Sequence, residues 1–216
     1  VANIFNGMDI SVGTASFTSV QNNTITNFNH STSNTGSTAF VGFNLAAGNL
    51  NVGTITGNLV GSTTVNGAIT FTANANTGGV IGIRTGGGTT VNISNNTVSG
   101  IDLIGTATVT PVFNGINAGG GTTVNIANNT IGSTSLANSI NASSAYTGTT
   151  GIQTIRGIIV NAGTTSTVTG NTIANMNTNL TSLSGAHTMA GIAVTVGTST
   201  VSGNTIRSLT SSSQST

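Results

Sequence analysis

The sequence predicts an all-β solenoid: a single domain over residues 1–216, wound into about six coils of three short strands with return loops of variable length. Three observations predict it. One Asn recurs six times, at Asn23, Asn58, Asn96, Asn129, Asn171 and Asn204, spaced by 35, 38, 33, 42 and 33 residues. A Gly followed by a large apolar residue stands 13 to 16 residues before each: Gly7-Met8, Gly42-Phe43, Gly82-Ile83, Gly115-Ile116, Gly157-Ile158 and Gly191-Ile192. Further apolar positions keep step with both anchors. Two residues before the Gly come Phe5, Phe40, Val80, Phe113, Ile155 and Met189; two after the Asn come Ile25, Val60, Val98, Ile131, Ile173 and Ile206. The residue three before the Asn is Val20, Ile55, Ile93, Ile126, Val168 or Val201, which completes an inward row. With 36% apolar residues overall, one such six-member row arises by chance with a probability of roughly 0.002, so several in register define a repeat.

The repeats fall at about 1–34, 35–74, 75–108, 109–148, 149–184 and 185–216. Within each, apolar residues alternate with period two, as in Val91-Asn92-Ile93 and Val124-Asn125-Ile126, which is the period of a strand. Thr, Val, Ile, Asn and Gly dominate over strong helix formers. The first strand holds the Gly-apolar pair. Turns such as Gly86-Gly87-Gly88 and Gly119-Gly120-Gly121 follow, then a second strand such as 89–93. A sharp bend is expected at the recurrent Asn, because the inward residues Ile93 and Val98 lie an odd five positions apart. Asn tolerates the left-handed conformation such a bend needs and can bond backbone groups; where Gly57, Gly170 or Gly203 precedes it, the Gly can take that conformation. The third strand starts there. The return to the next coil absorbs the length variation, with 61–78 and 132–151 as the largest excursions.

The chain carries five charged residues, Asp9, Arg84, Asp102, Arg156 and Arg207, and a net charge of +1. This offers no electrostatic footprint for nucleic acid or an anionic membrane. No apolar stretch approaches the roughly 18 residues of a membrane helix. There is no Cys. The chain starts and stops inside its own repeat pattern, which reads as a segment of a longer product.

The alternation of short Gly-Ile and Asn-x-Ile elements around each coil resembles the right-handed parallel β-helix repeat family along nearly the whole chain. That resemblance implies a single-stranded right-handed winding. It leaves function open, since the family includes polysaccharide lyases, pectin-acting hydrolases, adhesins and phage spikes. The Thr/Asn/Gly-rich, almost uncharged composition is also similar to that of the giant repetitive surface proteins of gliding bacteria exported by type IX secretion, which implies a secreted or cell-surface location.

Catalysis on this scaffold calls for carboxylates flanking the scissile bond. Asp9 and Asp102 stand alone, two coils apart, so no catalytic residue, metal or cofactor is expected. Asp9 and Arg84 belong to an outward row with Asn44, Asn117, Ile159 and Ala193 and read as solvated surface charges. His30 and His187 read as loop histidines in return connections, 157 residues apart. Gly86-Gly87-Gly88 lacks the following Lys of a phosphate cradle. Outward positions of the second strand give two rows: Ser19, Thr54, Asn92, Asn125, Thr167, Thr200, and Gln21, Thr56, Ser94, Ala127, Thr169, Ser202. Of these, Thr54, Thr56, Thr167, Thr169 and Thr200 form a possible binding face, similar to the flat Thr arrays of ice-binding solenoids. The expected role is structural: a rigid extracellular stalk, filament or adhesin segment that self-associates end to end or laterally. The alternative is a module that binds ice or a polymer surface through the Thr/Asn face.

Overall fold

A computed structural model describes residues 4–33, 38–74, 79–106, 110–148, 152–180 and 186–213. The repeat boundaries at 34/35, 74/75, 108/109, 148/149 and 184/185 fall at or within the segments outside the described residues. Among the described residues the chain is all strand and connection, and every strand pairing is parallel. The strands stack into three sheets. The first sheet holds Phe5–Ser11, Phe40–Ala47, Gly79–Thr85, Val112–Ala118, Ile152–Val160 and Ala186–Val194. The second holds Thr18–Val20, Leu50–Val52, Thr90–Ser94, Thr123–Ala127, Thr165–Thr169 and Thr198–Ser202. The third begins in each coil one residue before the inward Ile or Val of the Asn-x-Ile element. It then continues through a second run: Phe28–Thr32, Ile69–Ala73, Ile101–Gly105 and Ile140–Ser144 in the first four coils. In the last two coils the runs merge into the single strands Thr172–Leu180 and Thr205–Ser213. The fold is a parallel β-solenoid of six coils, and neighbouring coils sit ~4.8 Å apart.

The two strongest sequence rows meet in one contact, repeated in every coil. A Cβ built on Gly7, Gly42, Gly82, Gly115, Gly157 or Gly191 would lie 2.5–3.0 Å from a side-chain carbon of Ile25, Val60, Val98, Ile131, Ile173 or Ile206, respectively. Glycine lets the first sheet close onto the apolar row of the third. Met8, Phe43, Ile83, Ile116, Ile158 and Ile192 follow it in register and also point inward. The four inner coils are sealed: Phe40, Phe43, Phe71, Phe113, Ile131 and Ile173 are all fully buried.

The third sheet corrects one expectation. The return connections are not loops throughout, because 61–78 and 132–151 each contribute a core strand in which Ile69, Phe71, Ile140 and Ala142 are buried. At the other end, Thr210–Ser213 continues the third sheet and pairs with Asn177–Leu180.

Candidate functional site

Each coil turns from the second sheet to the third at the recurrent Asn, and two residues divide the work there. The residue before it takes the left-handed conformation: Asn22, Asn95, Asn128, Gly170 and Gly203 have φ between 56° and 65°. The recurrent Asn turns its amide inward along the stack. Asn129 donates its backbone N–H (2.9 Å) and its Nδ2 (3.0 Å) to Asn171 Oδ1, and its own Oδ1 accepts the same pair from Asn96. The Nδ2 also donates to the Ile93 and Ala127 carbonyls. The pattern runs unbroken from Asn23 through Asn58, Asn96, Asn129 and Asn171 to Asn204. The four inner members are 0–2% exposed. Buried amides with every group bonded are stabilising, whereas losing a partner exposes the full desolvation cost.

The second coil departs from the pattern. Its inward residue is Val52, paired with Val20 and Ile93, and three extra residues separate it from Asn58. Ile55 is therefore no member of the inward row; it is 84% exposed. Gly53 supplies the left-handed turn here, at φ 72°, and Gly57 does not. Gln21 holds the insertion, accepting the Ile55 and Thr56 N–H groups on Oε1 and donating Nε2 to the Asn51 carbonyl. Thr54 and Thr56 consequently leave the second sheet and drop out of the Thr face. Asn51 takes the strand position assigned to Thr54 and joins a surface amide ladder with Asn92 and Asn125, at 2.8 Å per step. Thr167, Thr169 and Thr200 keep their outward places. Register also aligns Thr90, Thr123, Thr165 and Thr198 in one column.

The titratable groups do not converge. Asp9 and Asp102 lie on different sheets. Among the described residues no three of His, Asp and Glu gather as a metal-ion site. Asp9 and Arg84 are more than isolated surface charges: Asn44, 6% exposed, donates to Asp9 Oδ1 at 2.7 Å and accepts Arg84 Nε at 2.9 Å. Burial raises the Asp102 pKa, opposed by the hydrogen bond from Asn141. Both histidines lie in strands, not loops. His30 packs between Phe28 and Phe71. His187 Nδ1 is 3.3 Å from Thr178 Oγ1, which donates to Gln153 Oε1 at 2.7 Å. Burial lowers the His187 pKa.

A cleft of about 320 Å³ opens on the third sheet, a feature the sequence reading passed over. It arises from two matched excursions. In the third coil Val98 and Ile101 are three residues apart, bridged by Ser99 and Gly100. In the second and fourth coils the equivalent gap is nine residues, Val60 to Ile69 and Ile131 to Ile140. Both insertions start alike, Gly61-Ser62-Thr63-Thr64-Val65 and Gly132-Ser133-Thr134-Ser135-Leu136. A Cβ on Gly61 would overlap the Ser99 carbonyl, and one on Gly132 the Ala174 carbonyl. Each Ser hydroxyl then accepts two backbone N–H groups, from Thr64 and Val65 or from Ser135 and Leu136, and folds its excursion into the same tight turn. The duplicated Gly-Ser-Thr segment at equal offset was the available sequence signal.

Comparison of the chain with protein-family models, with curated proteins and with solved structures returned no match in any of the three. Among the described residues no helix is long and apolar enough to cross a membrane.

Proposed function

We propose that this chain is a section of a rigid extracellular rod, a stalk, filament or adhesin segment at the cell surface or in secreted material, whose work is mechanical and not catalytic. One observation carries the reading: the inner coils are closed and the two outermost described coils are open. At one end Ile4 is 44%, Phe5 42% and Phe17 48% exposed; at the other Val201 is 49% and Ile206 48%. Phe5, Val201 and Ile206 continue rows that are buried in the coils between them. Each outermost coil also presents a strand edge, a template for a further parallel strand. Another coil on each end, from the same polypeptide or from a second copy, buries both. The scarcity of charge, with Asp9 and Arg207 alone in the first and last repeats, favours that contact because little must be desolvated.

The test is sedimentation and negative-stain electron microscopy of the purified chain across a range of concentrations. Rods that lengthen with concentration are expected. A compact monomer that stays monodisperse at high concentration contradicts end-to-end association. A second reading, a module that binds ice or a polymer surface, rests on the in-register column Thr90, Thr123, Thr165 and Thr198 with Thr167, Thr169 and Thr200 beside it. An ice-recrystallisation assay separates the two: inhibition supports the surface-binding reading, and its absence beside rods removes the ice-binding case.

A further inference from the structure

We propose that the cleft between the two matched excursions is a binding site for a neutral, polyhydroxylated ligand: one or two sugar units of an uncharged saccharide. The cleft has the parts of a built site. Thr97 and Thr130, on adjacent coils, line it from the third sheet; Thr63 and Thr64 come from the second-coil excursion, and Thr134 and Ser135 from the fourth. The excursions stand two coils apart, on the order of 10 Å. They are joined across that gap by Asn66 Nδ2 donating to the Ala137 carbonyl at 3.0 Å. Arg207 fixes the fourth-coil wall from beyond, its Nη2 donating to the Thr134 carbonyl at 3.0 Å. The Ser62 and Ser133 hydroxyls are engaged by backbone N–H groups. Those of Thr63, Thr97, Thr130 and Thr134 have no partner among the described residues. The cleft therefore offers fixed hydroxyls, each able to donate and accept, on a frame that does not need to be ordered on binding.

The chemistry of the lining selects the ligand. No charged side chain lines the cleft: Arg207 is turned to a carbonyl, and Asp102 lies behind the second-coil excursion, beside Gly67. No aromatic ring lines it either. An anion finds no counter-charge there, whereas a sugar's hydroxyls find hydroxyl partners and its ring C–H groups find the threonine methyls between them. The volume of about 320 Å³ lies at the small end of ligand sites, which start near 300 Å³. This inference is independent of the mechanical role, since a rod carries such a site whether or not it polymerises.

Titration of the isotope-labelled full chain with maltotriose, cellotriose and, as the anionic control, trigalacturonate tests it by amide chemical-shift mapping. A neutral trisaccharide is expected to give saturable shifts at residues 63–64, 97, 130 and 132–135. The paired substitution Thr97→Val and Thr130→Val keeps the side-chain shape and removes two hydroxyls; it is expected to weaken that binding about tenfold or more. Thr167→Val on the second sheet is expected to leave it unchanged. Ser135→Ala, at an exposed excursion position, gives the same reading if the paired variant misfolds. Saturable shifts at the cleft that survive all the cleft substitutions overturn the proposal. So does binding by trigalacturonate alone, and so does the absence of cleft shifts with both neutral trisaccharides at millimolar concentration.

Discussion

Each coil turns two corners on its way around the third sheet, and the two obey different rules. The first, at the recurrent Asn, separates its two inward residues by five positions in five coils; in the second coil three added residues sit before Asn58 and leave its amide in the ladder. The second, between the two runs of the third sheet, is three residues in four coils and nine in the other two. What differs is the side chain at the corner. At the first, a buried amide bonds the coils above and below, so its position is pinned by two neighbours at once. At the second, the left-handed residue is Asn27, Gly67, Gly100, Asn138, Asn175 or Ser208, and no common side chain runs through the stack. Any residue that tolerates the turn serves, and six more can be inserted if a Gly lets them lean on the next coil. Invariance marks where one kind of side chain bonds the coils on both sides, and variation marks where the bonds between coils come from a different group in each.

The comparison breaks if the two corners respond alike to damage. Asn129→Ala is the largest expected effect. It leaves the Asn96 N–H without its acceptor and takes one hydrogen bond each from the Asn96 Nδ2, which keeps the Val52 and Ser94 carbonyls, and from the Ile93 carbonyl; a loss of about 3 kcal/mol is expected in denaturant unfolding, at the upper end for a buried bond. Asn117→Ala, on the half-buried outward row of the first sheet, is expected to cost less than about 0.5 kcal/mol. Equal, small losses contradict a ladder that carries stability.

Shortening the fourth-coil excursion sharpens the contrast. Replacing 133–139 with one Asn, which restores the short step of Ile173-Ala174-Asn175-Met176 in the fifth coil, is expected to cost about 1 kcal/mol or less, since loop length is thermodynamically cheap. The deletion must stop before Ile140, because Ile140–Ser144 is core. A deletion carried through that strand is expected to unfold the chain, read by the loss of its β-sheet circular dichroism signal.

Smaller effects come from the two perturbed titrations. Burial lowers the His187 pKa, so as pH falls below about 6.5, the usual His value, the unfolded chain takes up the proton first. Stability is expected to be flat above neutrality and to fall with acidification, and His187→Gln is expected to reduce that fall. Asp102 has the opposite sign: burial raises its pKa, so its contribution favours folding at acid pH and is lost as pH rises through the folded value. Asp102→Asn extends the surface amide row in which Asn177 donates to Asn141, and is expected to stabilise by about 0.5 kcal/mol at pH 7.

The legible parts of the sequence were the ones under that two-neighbour constraint. The Gly row and the Ile/Val row stand out because each member must fit the other in every coil. The Asn corner stands out because a ladder tolerates no other side chain. Ile55 misled for a physical reason: a three-residue insertion placed an exposed Ile at the offset where the other coils carry their inward residue. The second run of the third sheet has an apolar inward row, Phe28, Ile69, Ile101, Ile140, Met176 and Leu209, beside a mixed one, His30, Phe71, Leu103, Ala142, Thr178 and Ser211; it was hidden because the excursions put Ile69 and Ile140 eleven residues after their Asn, against five in the other coils. Only stacking reveals that they share a wall, and only stacking brings the two excursions into one cleft.

Native-state hydrogen exchange tests the corner rule most directly. The backbone N–H groups of Asn58, Asn96, Asn129 and Asn171 donate to the side chain of the next coil, and they are expected to exchange only with global unfolding, alongside the core strand amides. The amides at 63–67 and 134–138 are expected to exchange orders of magnitude faster, through local opening. Ladder amides that exchange as fast as those of the excursions would contradict the claim that the buried Asn corner holds the coils in register.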